Sequence, residues 1–213
     1  RIVELTSQMM LEDGISVPQL AHVCRVLVGS PGVFDACRNR VSPAMVNSLQ
    51  RLGLPASGPL ENRALTLDMV ELLLRWDGDQ SSEAEGKLSS EQADNIAHFL
   101  VRLKLLVADG FSESRNAGDS EASSVALDHR ISGLLQELLS KRRPRVRASP
   151  LEKCISRDLK TLALLLACLE LIDTLVRNRY NDFLRRNAPL VRDIIALSVE
   201  RAKDDKKLRL KLR

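Results

Sequence analysis

Aromatic residues are scarce in this chain: one Trp, one Tyr and four Phe account for 3% of its 213 residues. A surface that binds single-stranded nucleic acid by stacking bases on aromatic rings is therefore not predicted. Long apolar runs are also lacking, because the longest, residues 162–169, is far shorter than the roughly 20 residues that cross a bilayer. We therefore expect no membrane span and a core made mostly of aliphatic side chains.

The residue patterns that mark catalytic, metal and cofactor sites are missing as well. The sequence contains no Cys-x-x-Cys or Cys/His zinc spacing, no histidine in a setting rich in cysteines or carboxylates, and no glycine-rich phosphate loop. The cysteines are Cys24, Cys37, Cys154 and Cys168, and the histidines are His22, His98 and His129. We therefore predict a protein that is not an enzyme, with no catalytic, cofactor-binding or metal-binding residue. No residue is singled out for binding a partner.

Apolar periodicity is the main positive signal, and it is clearest in residues 42–76. Ser42 is predicted to cap a helix that has Pro43 at its first position and ends at Gly53. The next helix carries one apolar stripe, made of Leu65, Met69, Leu72, Leu73 and Trp76. Neither helix buries its stripe alone, so the stretch predicts a helical hairpin. Trp76 is interpreted as part of the core, with an anchor for a partner protein as the alternative.

The other apolar segments also repeat at helical spacing, and none alternates as a strand does. Helix pairs recur about every 40 residues, a period typical of HEAT repeats. We predict an all-α, HEAT-like α-solenoid of antiparallel helix pairs, with a compact helical bundle as the alternative. Because the chain starts without Met and with a helical pattern, residues 1–213 are interpreted as a single excerpt of a longer helical-repeat region.

Polar stretches separate these helices. Residues 77–90 and 110–124 have few apolar side chains and are predicted to be flexible loops, with Ser90 capping the helix after the first of them. Residues 141–149 are predicted to form a basic linker. Residues 151–188 contain no Gly or Pro and predict one long helix with a bend near Asn178; Pro189 then opens the last helix.

Charge is distributed unevenly along the chain. Residues 1–110 carry a formal net charge of −4 and residues 111–213 one of +8. The lysines and arginines of the second part are concentrated in residues 141–147 and 203–213. We interpret these basic stretches as a solvated linker and terminus. A basic module that binds nucleic acid is an alternative function, although we expect any such binding to be weak. Among the acidic residues, Glu71 precedes Arg75 at helical spacing and is predicted to pair with it.

The hairpin sequence resembles a known family. The runs NSLQRLGLP and LENRALTLDMVELLLRWD are similar to a segment of the transformation/transcription domain-associated protein family, which are very large pseudokinase scaffolds of histone acetyltransferase complexes. A weaker similarity continues in residues 95–102 and in the helices after Pro150. The residues that match are Asn47, Arg51, Leu52, Gly53, Leu54, Pro55, Glu61, Asn62, Arg63, Asp68, Glu71 and Trp76.

This resemblance implies a function. It implies a non-catalytic scaffold segment of a nuclear transcription co-activator in SAGA-type and related histone acetyltransferase complexes. The implied partners are protein subunits of such a large chromatin-modifying complex and transcription activators. No family motif falls on residues 77–90, 110–124 or 141–149, so the resemblance assigns no partner contact there. A trafficking adaptor built on the same solenoid is the other alternative.

Overall fold

The computed structural model describes residues 2–11, 14–79, 87–110, 118–156 and 161–202. Within them lie ten α-helices, two 3-10 turns and no strand, and none of these helices has the length and hydropathy that a membrane crossing requires. The helices are α1 (Ile2–Leu11), α2 (Val17–Gly29), α3 (Arg38–Gly53), α4 (Leu60–Gly78), α5 (Ser90–Gly110), α6 (Gly118–Arg142), α7 (Ser149–Ser156), α8 (Leu162–Arg177), α9 (Asn181–Arg186) and α10 (Ala188–Ala202). The prediction of an all-α fold is confirmed.

Helices α3 and α4 pack against each other as the predicted hairpin. All five residues of the predicted α4 stripe are buried, and none is more than 5% exposed. The opposite side of α4 is buried too, because Leu67, Val70 and Leu74 are each at most 4% exposed and α2 also packs against this helix. A helix that buries residues on opposite sides has neighbours on both, so α4 is a central helix of the first unit, with Asp68, Glu71 and Arg75 on its remaining polar face.

The start of α3 differs from the prediction. The helix begins at Arg38, after 3-10 turns at Pro31–Val33 and Asp35–Cys37, so Ser42 is not its N-cap and Pro43 lies inside it. Ser42 is buried, and its hydroxyl donates to the Arg38 carbonyl oxygen at 2.7 Å. Proline is tolerated here because it removes a single helical hydrogen bond, whose acceptor belongs to a solvent-exposed residue close to the helix start.

Helix α5 is capped by Ser89 rather than by Ser90. The Ser89 hydroxyl accepts a hydrogen bond from the Gln92 backbone N–H at 3.1 Å, and the Gln92 side chain accepts one from the Ser89 N–H at 2.7 Å. This reciprocal pair is a capping box. Residues 80–86 of the predicted loop lie outside the described residues, whereas Leu88, near the end of that loop, is buried. At least this end of the loop is structured.

Helix α6 extends into both neighbouring polar stretches. It begins at Gly118, inside the predicted loop of residues 110–124, and it ends at Arg142, inside the predicted linker of residues 141–149. Residues 111–117 lie outside the described residues. The first turns of α6 are polar, so the apolar periodicity on which the prediction rested does not detect them.

The single helix predicted for residues 151–188 is instead α7, α8 and α9. The break after α8 falls at the predicted bend: Asn178 is the C-cap, and its side-chain amide donates to the Thr174 carbonyl oxygen at 2.8 Å. Arg179 follows with φ 57°, the left-handed conformation that commonly ends a helix. Residues 157–160 lie outside the described residues, and Pro189 is the second residue of α10.

The chain divides into two compact units. The first comprises residues 1–103 and 129–145 and includes the hairpin, against which α1 and α2 pack. The second comprises residues 104–128 and 146–213, and in it α10 packs against α7, α8 and α9. Buried residues of the second unit include Leu165, Cys168, Leu171 and Ile194.

A lysine is buried in the second unit. The side chain of Lys104 is 2% exposed, and its Nζ lies 2.7 Å from Asp128 Oδ1 and 2.8 Å from Glu170 Oε2. These three residues belong to α5, α6 and α8, so one ammonium group joins three helices. A buried charge is stable only when it is paired and hydrogen-bonded, and both carboxylates meet that requirement.

Gly53 permits close packing at the end of α3. A Cβ at this position would lie 2.9 Å from the Cε2 and Cζ of Phe99 and 3.0 Å from the Oγ1 of Thr66. We expect Gly53→Ala to lower the free energy of unfolding by about 1–3 kcal/mol, because the added methyl overpacks the core. Urea unfolding followed by circular dichroism measures this change.

Gly133→Ala is the matched control for that prediction. Gly133 lies within α6, and no neighbouring atom would be within 4 Å of its Cβ. Here alanine should raise the free energy of unfolding by about 1 kcal/mol through its higher helix propensity. If the two substitutions changed stability in the same direction, the packing explanation for Gly53 would be wrong.

Candidate functional site

Two arginines from the family-like sequence donate hydrogen bonds to backbone carbonyl oxygens of connecting loops. Arg51 Nη2 donates to the carbonyl oxygen of Ile15 at 2.9 Å, which ties α3 to the connection between α1 and α2. Arg63 is buried, and its Nη2 donates to the Ala56 carbonyl oxygen at 3.2 Å in the connection between α3 and α4. Burial lowers the pKa of Arg63. Because each guanidinium bonds a backbone carbonyl oxygen of a connecting loop, these residues have a structural role.

Trp76 is buried with its polar atom satisfied. The side chain is 4% exposed, and the indole N–H donates to Asp35 Oδ1 at 3.0 Å. The guanidinium of Arg38 lies 5.9 Å from the centre of the Trp76 ring and donates to Asp79 at 2.9 Å and to Asp35 at 3.3 Å. The interpretation of Trp76 as a core residue agrees with this burial.

A surface cleft of about 440 Å³ lies beside Trp76. It is lined by Pro31, Asp35, Arg38, Leu72, Arg75, Trp76, Gly78 and Asp79. Two arginines and two aspartates balance each other in formal charge, and Arg38 bonds both aspartates. The lining contains no histidine, cysteine or hydroxyl side chain, and its two carboxylates both bond Arg38, so neither is free to act as a general base or nucleophile.

Two of the three acidic residues of the resemblance, Asp68 and Glu71, converge on an arginine of α6. Arg130 Nη2 lies 2.7 Å from Asp68 Oδ1 and 2.7 Å from Glu71 Oε1. Burial lowers the pKa of Arg130, but hydrogen bonds and charge attraction from the two carboxylates outweigh this and leave the pKa raised. The prediction that Glu71 pairs with Arg75 is corrected, because Glu71 bonds Arg130. This cluster is a structural ion pair, since each carboxylate already bonds the arginine.

The predicted basic linker is partly folded into the first unit. Arg142 lies 3.0 Å from Asp77 and donates to the carbonyl oxygen of Leu88, whose N–H in turn donates to Asp77 at 2.9 Å. The backbone N–H of Arg145 donates to Asp94 at 2.6 Å. Arg142 is therefore a structural residue and not part of a free charged tether. The tail at residues 203–213 lies outside the described residues.

These contacts leave fewer cations for nucleic acid, and we expect weak, salt-dependent binding of duplex DNA or RNA at most. The measurement is titration of the 213-residue chain at physiological salt. A comparison variant replaces the exposed residues Arg143, Arg145 and Arg147 with alanine. It keeps Arg142, because that residue has a structural role. Sub-micromolar affinity that this triple variant loses would contradict the prediction and favour a nucleic-acid module.

The histidines differ in exposure, and two of the four cysteines have raised pKa values. His22 and His129 are exposed and His98 is half-buried, and the described residues contain no cluster of His, Cys, Asp and Glu that could hold a metal. Burial raises the pKa of Cys24 to about 12. A hydrogen bond with Cys154, together with burial, raises the pKa of Cys168. Thiols held in this protonated form are poor nucleophiles.

Comparison with known proteins supplies the context for these structural roles. Residues 1–93 match the family model described as the Tra1 HEAT repeat ring region. That range includes α1 to α4 and the hairpin residues on which the resemblance rests. The resemblance and the HEAT-like class of the fold are confirmed. No solved structure matches the chain.

Several curated relatives are similar over part of the chain. The transformation/transcription domain-associated protein of Mus musculus is 33% identical over 136 residues, which cover 54% of this chain and 5% of the relative. The protein of the same name from Danio rerio is 32% identical over 84 residues, which cover 38% of this chain and 2% of the relative. Transcription-associated protein 1 of Drosophila melanogaster is 26% identical over 72 residues, which cover 34% of this chain and 2% of the relative. The chain thus spans only a few per cent of the length of these relatives.

Proposed function

We propose that this chain, whose first 93 residues match the Tra1 HEAT repeat ring region, is a scaffold segment of a transcription co-activator. That match is the observation that carries the proposal. The names of the relatives, which describe transcription-associated proteins, support the same role. In this role the chain supplies folded helical surface on which other proteins assemble, and it performs no reaction itself.

The polar clusters of the first unit are compatible with such a role. Asp68 and Glu71 are bonded to Arg130, and Asp35 and Asp79 are bonded to Arg38. Side chains engaged in this way stabilise the packing of helices and are not poised to bind a substrate. Stacked helix pairs present extended surfaces, which suit the binding of several protein partners.

At the finer level, we assign the parent protein to SAGA-type and related histone acetyltransferase complexes in the nucleus. Its partners there are protein subunits of the complex and transcription activators. This assignment rests on the resemblance in residues 42–76 and on the partial similarity to the relatives. Neither nucleic acid nor a membrane is included among the partners.

The experiment that tests the assignment uses the endogenous protein. Antibodies raised against this chain should precipitate, from a nuclear extract, an activity that transfers acetyl groups from acetyl-CoA to histones. Adding excess recombinant chain to block the antibody should remove that activity from the precipitate. If the protein is precipitated without acetyltransferase activity, or is recovered only with membrane-trafficking components, the assignment is wrong and an adaptor role is favoured.

A further inference from the structure

Helix α6 is held to α4 by two arginines within the first unit. Arg130 bonds Asp68 and Glu71, each at 2.7 Å, and Arg142 bonds Asp77 at 3.0 Å. The order along the chain is the same in both helices, with the Arg130 contacts first and the Arg142 contact second. The two helices therefore run in the same direction, and they are joined by ionic contacts at two separate points.

The apolar residues of α6 do not by themselves define how far the helix is shifted along its axis. Its buried face in the first unit repeats branched aliphatic side chains at helical spacing, because Ile131, Leu134, Leu135, Leu138 and Leu139 are all at most 6% exposed. A shift by one turn, about 5 Å, would mostly exchange one aliphatic side chain for another. The apolar area removed from water would change little, so these side chains stabilise the helix and select its position only weakly.

The ionic contacts respond differently to such a shift. A displacement of about 5 Å separates the guanidinium of Arg130 from both carboxylates, and it separates Arg142 from Asp77 at the same time. The side chain of Asp77 is only 7% exposed, so losing its partner leaves a nearly buried carboxylate without its counter-charge. The side chains of Arg130, Asp68 and Glu71 are 34%, 41% and 42% exposed, so the contact at Asp77 is the more buried of the two. Specification of one register is the best-attested role of buried polar groups among apolar neighbours, and the partly exposed Arg130 contact adds to it as a second point of attachment.

We propose that Arg130 and Arg142 form a register lock, a pair of ionic contacts that fixes the axial position of α6 relative to α4. Such a lock determines which exposed residues of the two helices lie side by side on the scaffold surface. The inference depends on the geometry of the first unit alone and stands or falls separately from the proposed function.

A charge exchange at the Arg130 contact tests the lock in the full 213-residue chain. Arg130→Glu alone should broaden or shift the distance between spin labels placed at exposed positions 75 on α4 and 141 on α6 by about one helical turn. Amide exchange in residues 129–142 should become about tenfold faster. Adding Asp68→Lys and Glu71→Lys should restore the narrow distance distribution, because the triple variant has the same contact with the charges reversed.

Two further variants complete the test. Arg130→Gln gives a milder loss of the contact if the reversed charge prevents folding, and it should show the same change to a smaller degree. Arg102→Glu is the matched control, since this exposed arginine of α5 bonds Gln50 and not α4, and it should leave the distance unchanged. An unchanged narrow distribution in Arg130→Glu and Arg130→Gln, or no restoration in the folded triple variant, would overturn the proposal.

Discussion

Trp76→Ala is expected to lower the free energy of unfolding by about 3–5 kcal/mol, because a buried tryptophan leaves a large cavity when it is truncated. The side chain is 4% exposed, and Asp35 would also lose the donor that now lies 3.0 Å away. The measurement is urea unfolding followed by far-ultraviolet circular dichroism. Trp76→Phe should cost less, since it keeps most of the apolar volume and loses mainly the hydrogen bond.

Val33→Ala is the control for this prediction. Val33 is 60% exposed in the 3-10 turn that precedes α3, so its truncation should change the free energy of unfolding by about 0.5 kcal/mol or less. Unchanged stability in Trp76→Ala together with lost binding of a partner protein would instead identify Trp76 as an anchor at an interface.

Neutralising Asp128 and Glu170 together is expected to destabilise the second unit by about 3–5 kcal/mol, because it removes two carboxylates that pair with the buried ammonium group of Lys104. The double variant Asp128→Asn, Glu170→Gln removes the carboxylates that lie 2.7 and 2.8 Å from the ammonium group. Chemical unfolding of the second unit, monitored by amide exchange in α8, reports the loss.

Adding Lys104→Met to that double variant separates charge from packing. Methionine keeps much of the apolar stem of lysine and removes its charge, so the triple variant should recover most of the lost stability. In the unaltered chain the same substitution should be destabilising, because it removes two charge-assisted hydrogen bonds. If Lys104→Met had the same effect in both backgrounds, the ammonium and the carboxylates would not be energetically coupled.

The sequence was most informative where one physical requirement governs the structure. The stripe from Leu65 to Trp76 could be predicted because apolar residues at helical spacing have to be buried on one side. The burial of Leu67, Val70 and Leu74 was not predicted, since a stripe analysis assigns these residues to the exposed side. Their burial depends on how many helices surround α4, and that is a property of the tertiary fold.

Local sequence signals for the ends of helices were less reliable. Ser42 followed by Pro43 is a strong local start signal, yet α3 begins at Arg38, before both residues. Two tertiary interactions favour the earlier start: Val41 is fully buried, and Arg38 bonds Asp79 while lying over the Trp76 ring. Packing of this kind overrides a helix preference that is worth only about 1 kcal/mol. The helix-start signal is visible in adjacent residues of the sequence, whereas the tertiary partners of Arg38 and Val41 are not.

Composition likewise revealed charge without revealing its partners. Residues 141–149 were interpreted as a basic linker because arginines surround a proline, but Arg142 bonds Asp77 and Leu88 from distant parts of the chain. Glu71 was predicted to pair with Arg75, the cation four residues later, and it bonds Arg130 instead, as Asp68 also does. Pairs between different helices depend on the packing of those helices, which periodicity alone does not specify.

The arginines that donate to loop carbonyls also affect how the chain behaves toward charged surfaces. Arg51, Arg63 and Arg142 each direct a guanidinium N–H to a backbone oxygen of the protein, and Lys104 points its ammonium at internal carboxylates. These four cations count fully in the isoelectric point of about 9.0. They are poorly placed to contact an external matrix, so a cation-exchange resin should retain the folded chain less strongly than the urea-unfolded chain.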